Sequence, residues 1–453
     1  MTSTLGLTLL AVFGVALLLF LVIRVKLQAF IALIAVSYVV GLLAGMSPGE
    51  IFTAVQDGMG GTVGEIAVII GVGAMFGEIL KVSGGAERLA LTLMNKFGEK
   101  RVNWALALTG FIISIPVFLD VAFVILVPIL YSLAQKTKKS LLFYGIPLLA
   151  GLAVTHSFVP PTPGPIAVAS LLGANIGWVV LFGLIAGIPA AIIAGPIFGT
   201  YISKKIHVEV PKIMLKNMAE EAKGKQYDKE LPGFGVIASL ILLPLFLILL
   251  NTFSSLFLAE GSALLQVVVF IGNPGVALTI TALLTFYILG TKRGYTISDI
   301  QEIATKSLEP AGIIILITGA GGIFGQVLVE TGIGDVLANT MSDLNVPIIV
   351  FAFLVASAVR IAQGSATVAM VTAASLITPV IETLGISGPM LALLVITIAS
   401  GATIASHVND SGFWMVNRFF GMSEKDTLKS WTVMETIIAF VGFGITLGIS
   451  FFI

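Results

Sequence analysis

Residues 356–372 read ASAVRIAQGSATVAMVT, an apolar run that holds one arginine, Arg360, followed by Gln363, Gly364, Ser365 and Thr367. A charge in such surroundings costs about 2.5 to 3.5 kcal/mol even on permissive membrane-insertion scales, so it needs a partner or a task. The guanidinium is a planar fork of donors that suits a carboxylate, and a lysine could not reproduce its paired bonds. Gln363, Ser365 and Thr367 suit hydroxyls, and Gly364 lets backbone N–H groups come close to an anion at a helix start. The plainer roles are a buried ion pair with Asp120 or Asp410 for Arg360, and close packing for the small residues beside it.

Asp120 and Asp410 are the two acids placed inside apolar or interrupted segments, the remaining acids falling in loops or near helix ends. Each can neutralise Arg360 or carry a proton, depending on its solvation and its neighbours. His156 and His407 stand in two interrupted segments, HSFVPPTPGP at 156–165 and SHVNDSG at 406–412. With Asp120 and Asp410 they form the set of proton-coupling candidates. Ser157, Thr162, Asn409 and Ser411 join them as candidates to line a binding site. Three histidines, no cysteine and no HExxH leave no recognisable zinc site and no cofactor motif. GIGD at 332–335 resembles part of an intramembrane aspartyl protease signature, but the only Tyr-Asp pair, Tyr227-Asp228, lies in a polar stretch, which argues against an enzyme.

The elements that must position these residues are membrane helices. Of 453 residues 57% are hydrophobic and 11% charged, whereas a soluble domain carries about 25% charge. The chain is expected to be an all-α polytopic membrane protein embedded in a lipid bilayer, because apolar runs of about 18 residues or more recur and alternating strands do not. Net charge near zero gives no nucleic-acid footprint. Residues 5–23 and 27–44 form two helices around Arg24 and Lys26, which places the N-terminus outside under the positive-inside rule. Residues 45–61 are expected as an external loop and 62–80 as a return span.

Residues 102–134 are flanked by basic residues on both sides and broken by Pro116, so they are expected to form a re-entrant hairpin with Asp120 near its tip. Residues 141–172 follow as a broken transmembrane helix, unwound at 156–165, a state tolerated at membrane depth only where it is buried or lines a cavity. Residues 204–232 are expected as a cytoplasmic linker. The second half, 233–453, holds spans at 234–258, 264–289 and 312–329. It continues with a re-entrant hairpin at 348–381 with 360–365 at its tip, a broken helix at 390–418 and a last helix at 431–453. This topology places 23 of the 24 lysines and arginines in cytoplasmic segments, and Arg360 is the exception.

GVGAMFGEILKVSGGAERLA at 71–90 and GAGGIFGQVLVETGIGDVLA at 319–338 align without gaps at an offset of 248 and share 8 of 20 residues. The first copy runs inward and the second outward, so residues 1–203 and 233–453 are expected to be two inverted repeats. Transporters built this way hold substrate at the midplane, between discontinuous helices.

The segments IPVFLDVAFVILVPI, THSFVPPTPGPIAVASLLGANIG, RIAQGSATVAMVTAA and SHVNDSGFW resemble the gluconate permease family, the gluconate and aldonate:proton symporters of bacteria, and the resemblance covers essentially the whole chain. It implies membership of the ion-transporter superfamily and an elevator-type secondary transporter with a scaffold and a transport domain. It further implies a sugar acid and protons as the transported species, a homodimer, and the bacterial inner membrane. A sodium-coupled carboxylate carrier is the alternative within transport, since the superfamily includes such carriers.

Overall fold

The computed structural model describes residues 4–211, 231–254, 257–259, 261–343 and 346–453. The linker expected at 204–232 falls mostly on 212–230, which lie outside the described residues. Every regular element among the described residues is a helix, and nine helices are long and apolar enough to cross a membrane. The chain is a multi-pass membrane protein.

Helices Thr4–Leu19 and Ala29–Ala44 occupy the two expected N-terminal spans. The next expectation fails. Residues 45–61 are not a loop, because Pro48–Val82 is one helix of 35 residues. A capping box starts it: the Ser47 hydroxyl accepts from the Glu50 N–H, and the Glu50 carboxylate accepts from the Ser47 N–H. A glycine within this helix lets two backbones approach. A Cβ at Gly58 would lie 2.6 Å from the carbonyl oxygen of Gly322. Through this contact the helix Ile297–Glu330 packs against Pro48–Val82, as small residues permit between membrane helices. The expected span at 312–329 is thus the second part of a longer helix. In contrast, 264–289 is divided at Gly272 and Asn273 into Ala263–Ile271 and Pro274–Thr285. The Asn273 side chain caps the second piece by accepting from the Gly275 N–H.

Each segment expected as a hairpin is a pair of helices. Val102–Ile113 and Leu119–Thr137 are joined across Pro116, and Ile348–Gln363 and Ala366–Leu384 are joined by Gly364 and Ser365 alone. The second tip is tighter than 360–365, and Arg360 sits in the last turn of the hairpin's first arm. Both broken helices are present with shifted breaks. The first runs through His156, Ser157 and Phe158, and Pro163 opens its second piece, Pro163–Leu172, where a missing N–H costs nothing. Its unwound part therefore shrinks to 159–162. The second is unwound over 402–410, between Pro389–Gly401 and Ser411–Phe420. The last expected span begins earlier and less regularly, as Glu424–Thr427, a π-helical turn Leu428–Thr432, and Val433–Ile449.

Burial orders these elements from the centre outwards. The most apolar window of Leu141–Leu172 is 89% buried inside the protein, against 33% for Phe234–Ser254. The first broken helix is therefore interior, packed on Val102–Ile113 where Gly110 faces the backbone of Leu148 and Gly151 that of Ala107. Helices such as Phe234–Ser254 present Leu242 and Phe246 outward. Across the halves, the second hairpin's arm Ala366–Leu384 packs on Pro163–Leu172, and the first hairpin's arm Leu119–Thr137 packs on Ser411–Phe420.

Candidate functional site

Where these elements converge lies a cavity of about 410 Å³. Its wall takes Leu119 and Asp120 from the first hairpin, Arg360, Ser365, Ala366 and Thr367 from the second, Ala153, His156 and Ser157 from the first broken helix, and Asp410 to Gly412 with Met415 from the second. Trp431 and Glu435 complete it. Three helices, Leu119–Thr137, Ala366–Leu384 and Ser411–Phe420, begin at this wall. Their first turns leave N–H groups without intrahelical partners and carry the positive end of the helix dipole, which favours an anion.

Arg360 is 4% exposed and donates from Nη2 to Asp410 Oδ2 at 2.6 Å. Its Nε and Nη1 are buried and find no acceptor among the described residues. An unmade bond on a buried donor costs about 1 to 3 kcal/mol, and more on a charged one, so an anion that reaches this wall recovers an interaction the folded chain lacks. Asp410 is more fully engaged. Oδ2 also accepts from the Ser406 hydroxyl, which in turn accepts from Trp431 Nε1 at 2.6 Å, and Oδ1 accepts from the Gly412 N–H at 3.1 Å as the cap of Ser411–Phe420. Asp410 is thereby both the counter-ion of Arg360 and the residue that starts a helix at the cavity.

Asp120 lies in the first turn of Leu119–Thr137 and is solvent-exposed through the cavity. His156 meets Phe118 edge to face at 6.3 Å between ring centroids, and its buried Nδ1 has no partner among the described residues. Of the residues singled out in the sequence, Arg360, Ser365, Thr367, Asp120, His156, Ser157, Asp410 and Ser411 share this one wall.

Five others are placed elsewhere. Gln363 donates its side-chain amide to the Ser365 carbonyl at 3.0 Å and Gly364 supplies the positive φ of +91° that ends the arm, so both build the tip. Asn409 donates to the carbonyl oxygens of Ile361 and Ala362 at 2.9 and 3.3 Å, which ties the second break to that tip. His407 Nδ1 lies 2.8 Å from the Ala405 carbonyl. Thr162 is buried and donates to the Val159 carbonyl at 2.7 Å, closing the first break on itself.

Glu435 was not among the expected residues. It is 4% exposed, lines the cavity, and belongs to the first turn of Val433–Ile449. In the sequence it passes for an acid near a helix end. The segment 402–410 is tied to Trp431 and Thr432, just before Glu435 in the chain, through the bonds to Ser406. Glu435 therefore joins Asp120 and Asp410 as a third carboxylate of this wall.

Residues 7–452 match the family model of the GntP family permeases. The chain is 43% identical over 440 residues to the low-affinity gluconate transporter of Escherichia coli K12, covering 97% of each chain. It is 41% identical over 444 residues to the gluconate permease of Bacillus subtilis 168, covering 96% of this chain and 98% of that one. In fold it is similar to the crystal structure of the YdaH transporter of Alcanivorax borkumensis, with a TM-score of 0.65 at 14% identity over 99% of this chain and 98% of the other. An all-helical multi-pass membrane protein matched over nearly its whole length to permeases, the chain belongs to the GntP permease family and is a transport protein, not an enzyme.

Proposed function

We propose that the protein is a secondary active transporter that imports gluconate or a related sugar acid by proton symport. The observation that carries this reading is the pair of unpartnered, buried donor atoms of Arg360 at the wall of the cavity. A sugar-acid carboxylate accepts from them, while the hydroxyls of Ser157, Ser365, Thr367 and Ser411 meet the polyol chain. The three helix starts around the wall add to the attraction for an anion. The names of the relatives, low-affinity gluconate transporter and gluconate permease, point to the same substrate class.

The two halves act in this proposal as inverted repeats. What supports it is their register. Shifted by 248, Pro48–Val82 becomes 296–330, against Ile297–Glu330, and Pro163–Leu172 becomes 411–420, the bounds of Ser411–Phe420. The hairpins and broken helices then move together as an elevator against the outer helices and expose the cavity alternately to each side. The exposed faces of the outer helices, with Phe246 and Phe270 at 61% and 66% exposure, suit lipid and the partner copy of a homodimer. The orientation proposed is N-terminus outside, in a bacterial inner membrane.

Uptake of labelled gluconate into proteoliposomes under an imposed inward proton gradient tests this. Accumulation that vanishes with a protonophore is the expected outcome. Accumulation driven by a sodium gradient and indifferent to protons would remove the symport part.

A further inference from the structure

We propose that Glu435 is the proton-coupling residue, and that the anion and the proton bind to the cavity together because Glu435 and the substrate carboxylate share one cation. This rests on the transport reading above and extends it to a residue of the last helix.

The charges around Glu435 can be counted element by element. Ile348–Gln363 contributes Arg360, the 402–410 segment contributes Asp410, and Leu141–Phe158 contributes His156 on the same wall, with Asp120 facing in from Leu119–Thr137. The other helical segments packed on Val433–Ile449 are Pro389–Gly401, Ile176–Ile192 and Ile193–Ile197, which bring no charged residue, and Leu428–Thr432, whose Lys429 is exposed and does not line the cavity. Glu435 thus has a single permanent cation within its surroundings, and that cation already carries Asp410 at 2.6 Å.

The three carboxylates of the wall differ in how they are held. Asp410 is fixed by Arg360, by Ser406 and by the Gly412 N–H, so giving it a proton dismantles a cap and an ion pair. Asp120 is exposed. Glu435 is buried and accepts no hydrogen bond among the described residues, and its electrostatic neighbours are Arg360 and Asp410. An arriving carboxylate at Arg360 adds a second negative charge to a wall where Glu435, if ionised, is already opposed only by that arginine. Like charges brought into one desolvated site are not both retained. Proton uptake at Glu435 removes the conflict without moving a helix, and by linkage each ligand favours the other. The balance is simple: one anion and one proton enter the site, Glu435 becomes neutral, and on the far side the proton leaves to water as the anion dissociates.

Isothermal titration of gluconate into the purified protein, in two buffers of different ionisation enthalpy, counts the protons taken up per anion bound. The wild type is expected to take up about one, and its affinity to weaken about tenfold per pH unit on the alkaline side, the slope for one linked proton. E435Q keeps the shape and hydrogen-bonding capacity of the neutral side chain. It should take up none, bind gluconate with less than twofold change between pH 6 and 9, and at pH 9 bind about tenfold more tightly than the wild type. Proton uptake or a pH slope that survives in E435Q overturns the proposal. Loss of gluconate binding in a folded E435Q, checked by thermal unfolding, also overturns it, by making Glu435 a substrate contact. If E435Q does not fold, E435D decides: the pH at which affinity begins to weaken must move by at least half a unit, and an unmoved profile contradicts the assignment. A wild type that binds no gluconate at any pH is a different result, since it removes the substrate reading on which this inference rests.

Discussion

Arg360 shows how far a single residue can be understood before its fold is known. An arginine inside apolar sequence has to be explained: one donor atom is spent on Asp410, while Nε and Nη1 stay unpaired among the described residues and are the atoms the proposed carboxylate contact would use. Asp410 consequently has a structural duty that is separable from transport. Removing one partner of a buried pair strands the other, at a cost of about 3 to 5 kcal/mol. D410A is expected to lose stability of that order in denaturant unfolding of the purified protein, beyond the loss of its helix cap, and near wild-type stability would mean that Arg360 finds another partner. Glu435 was not legible because its helix packs on elements from distant parts of the chain, Pro389–Gly401 and Ile176–Ile192 among them, and the sequence before it contains Lys425 and Lys429, which mark a solvated helix end.

At the scale of elements, the order of hairpin and broken helix could be read from proline positions and flanking charge, since Pro116 and the 156–165 prolines break helices by removing donors. Their exact limits could not. A proline at the first turn of a helix continues it as readily as one inside it stops it, which is why Pro163–Leu172 begins within the stretch that sequence alone marks as unwound. Acids were misleading at 45–61: Glu50 without a neighbouring Lys or Arg reads as part of an external loop, whereas it caps the start of Pro48–Val82, and Gly58 further along makes a backbone contact with Gly322. One element-level consequence concerns the latch between the second hairpin and the second break. Asn409 holds the last turn of Ile348–Gln363 by its carbonyls, and a Cβ at Gly364 would run into the Asn409 backbone. N409A removes two hydrogen bonds, worth about 1 to 3 kcal/mol together. Backbone hydrogen exchange at 361–366 is expected to quicken about tenfold or more in N409A, with the first hairpin unchanged, and exchange identical to wild type would show that the tip is held by packing alone.

For the whole molecule, composition and charge placement were enough to mark a polytopic membrane protein, because the bilayer demands long apolar helices whatever the packing. The long contact between Pro48–Val82 and Ile297–Glu330 was not visible, as it joins helices that each extend well beyond their hydrophobic part. The proposed orientation rests on Lys and Arg bias and can be checked directly, since the chain has no cysteine to remove first. G49C, in an exposed first turn, is expected to react with a membrane-impermeant thiol reagent in intact cells, and K139C only after permeabilisation. The opposite pattern would invert the proposed topology.

The central claim is that Arg360 receives the substrate carboxylate with the donors the fold leaves unpaired, and a binding titration of gluconate to purified wild type and R360K tests it most directly. Lysine keeps the charge and the pair with Asp410 but has no planar set of donors, so R360K, folded and inserted, is expected to bind about 100-fold more weakly, the loss of roughly 2.7 kcal/mol typical of a buried charged contact. Affinity within threefold of wild type in R360K would contradict the account and leave Arg360 as the structural partner of Asp410 alone.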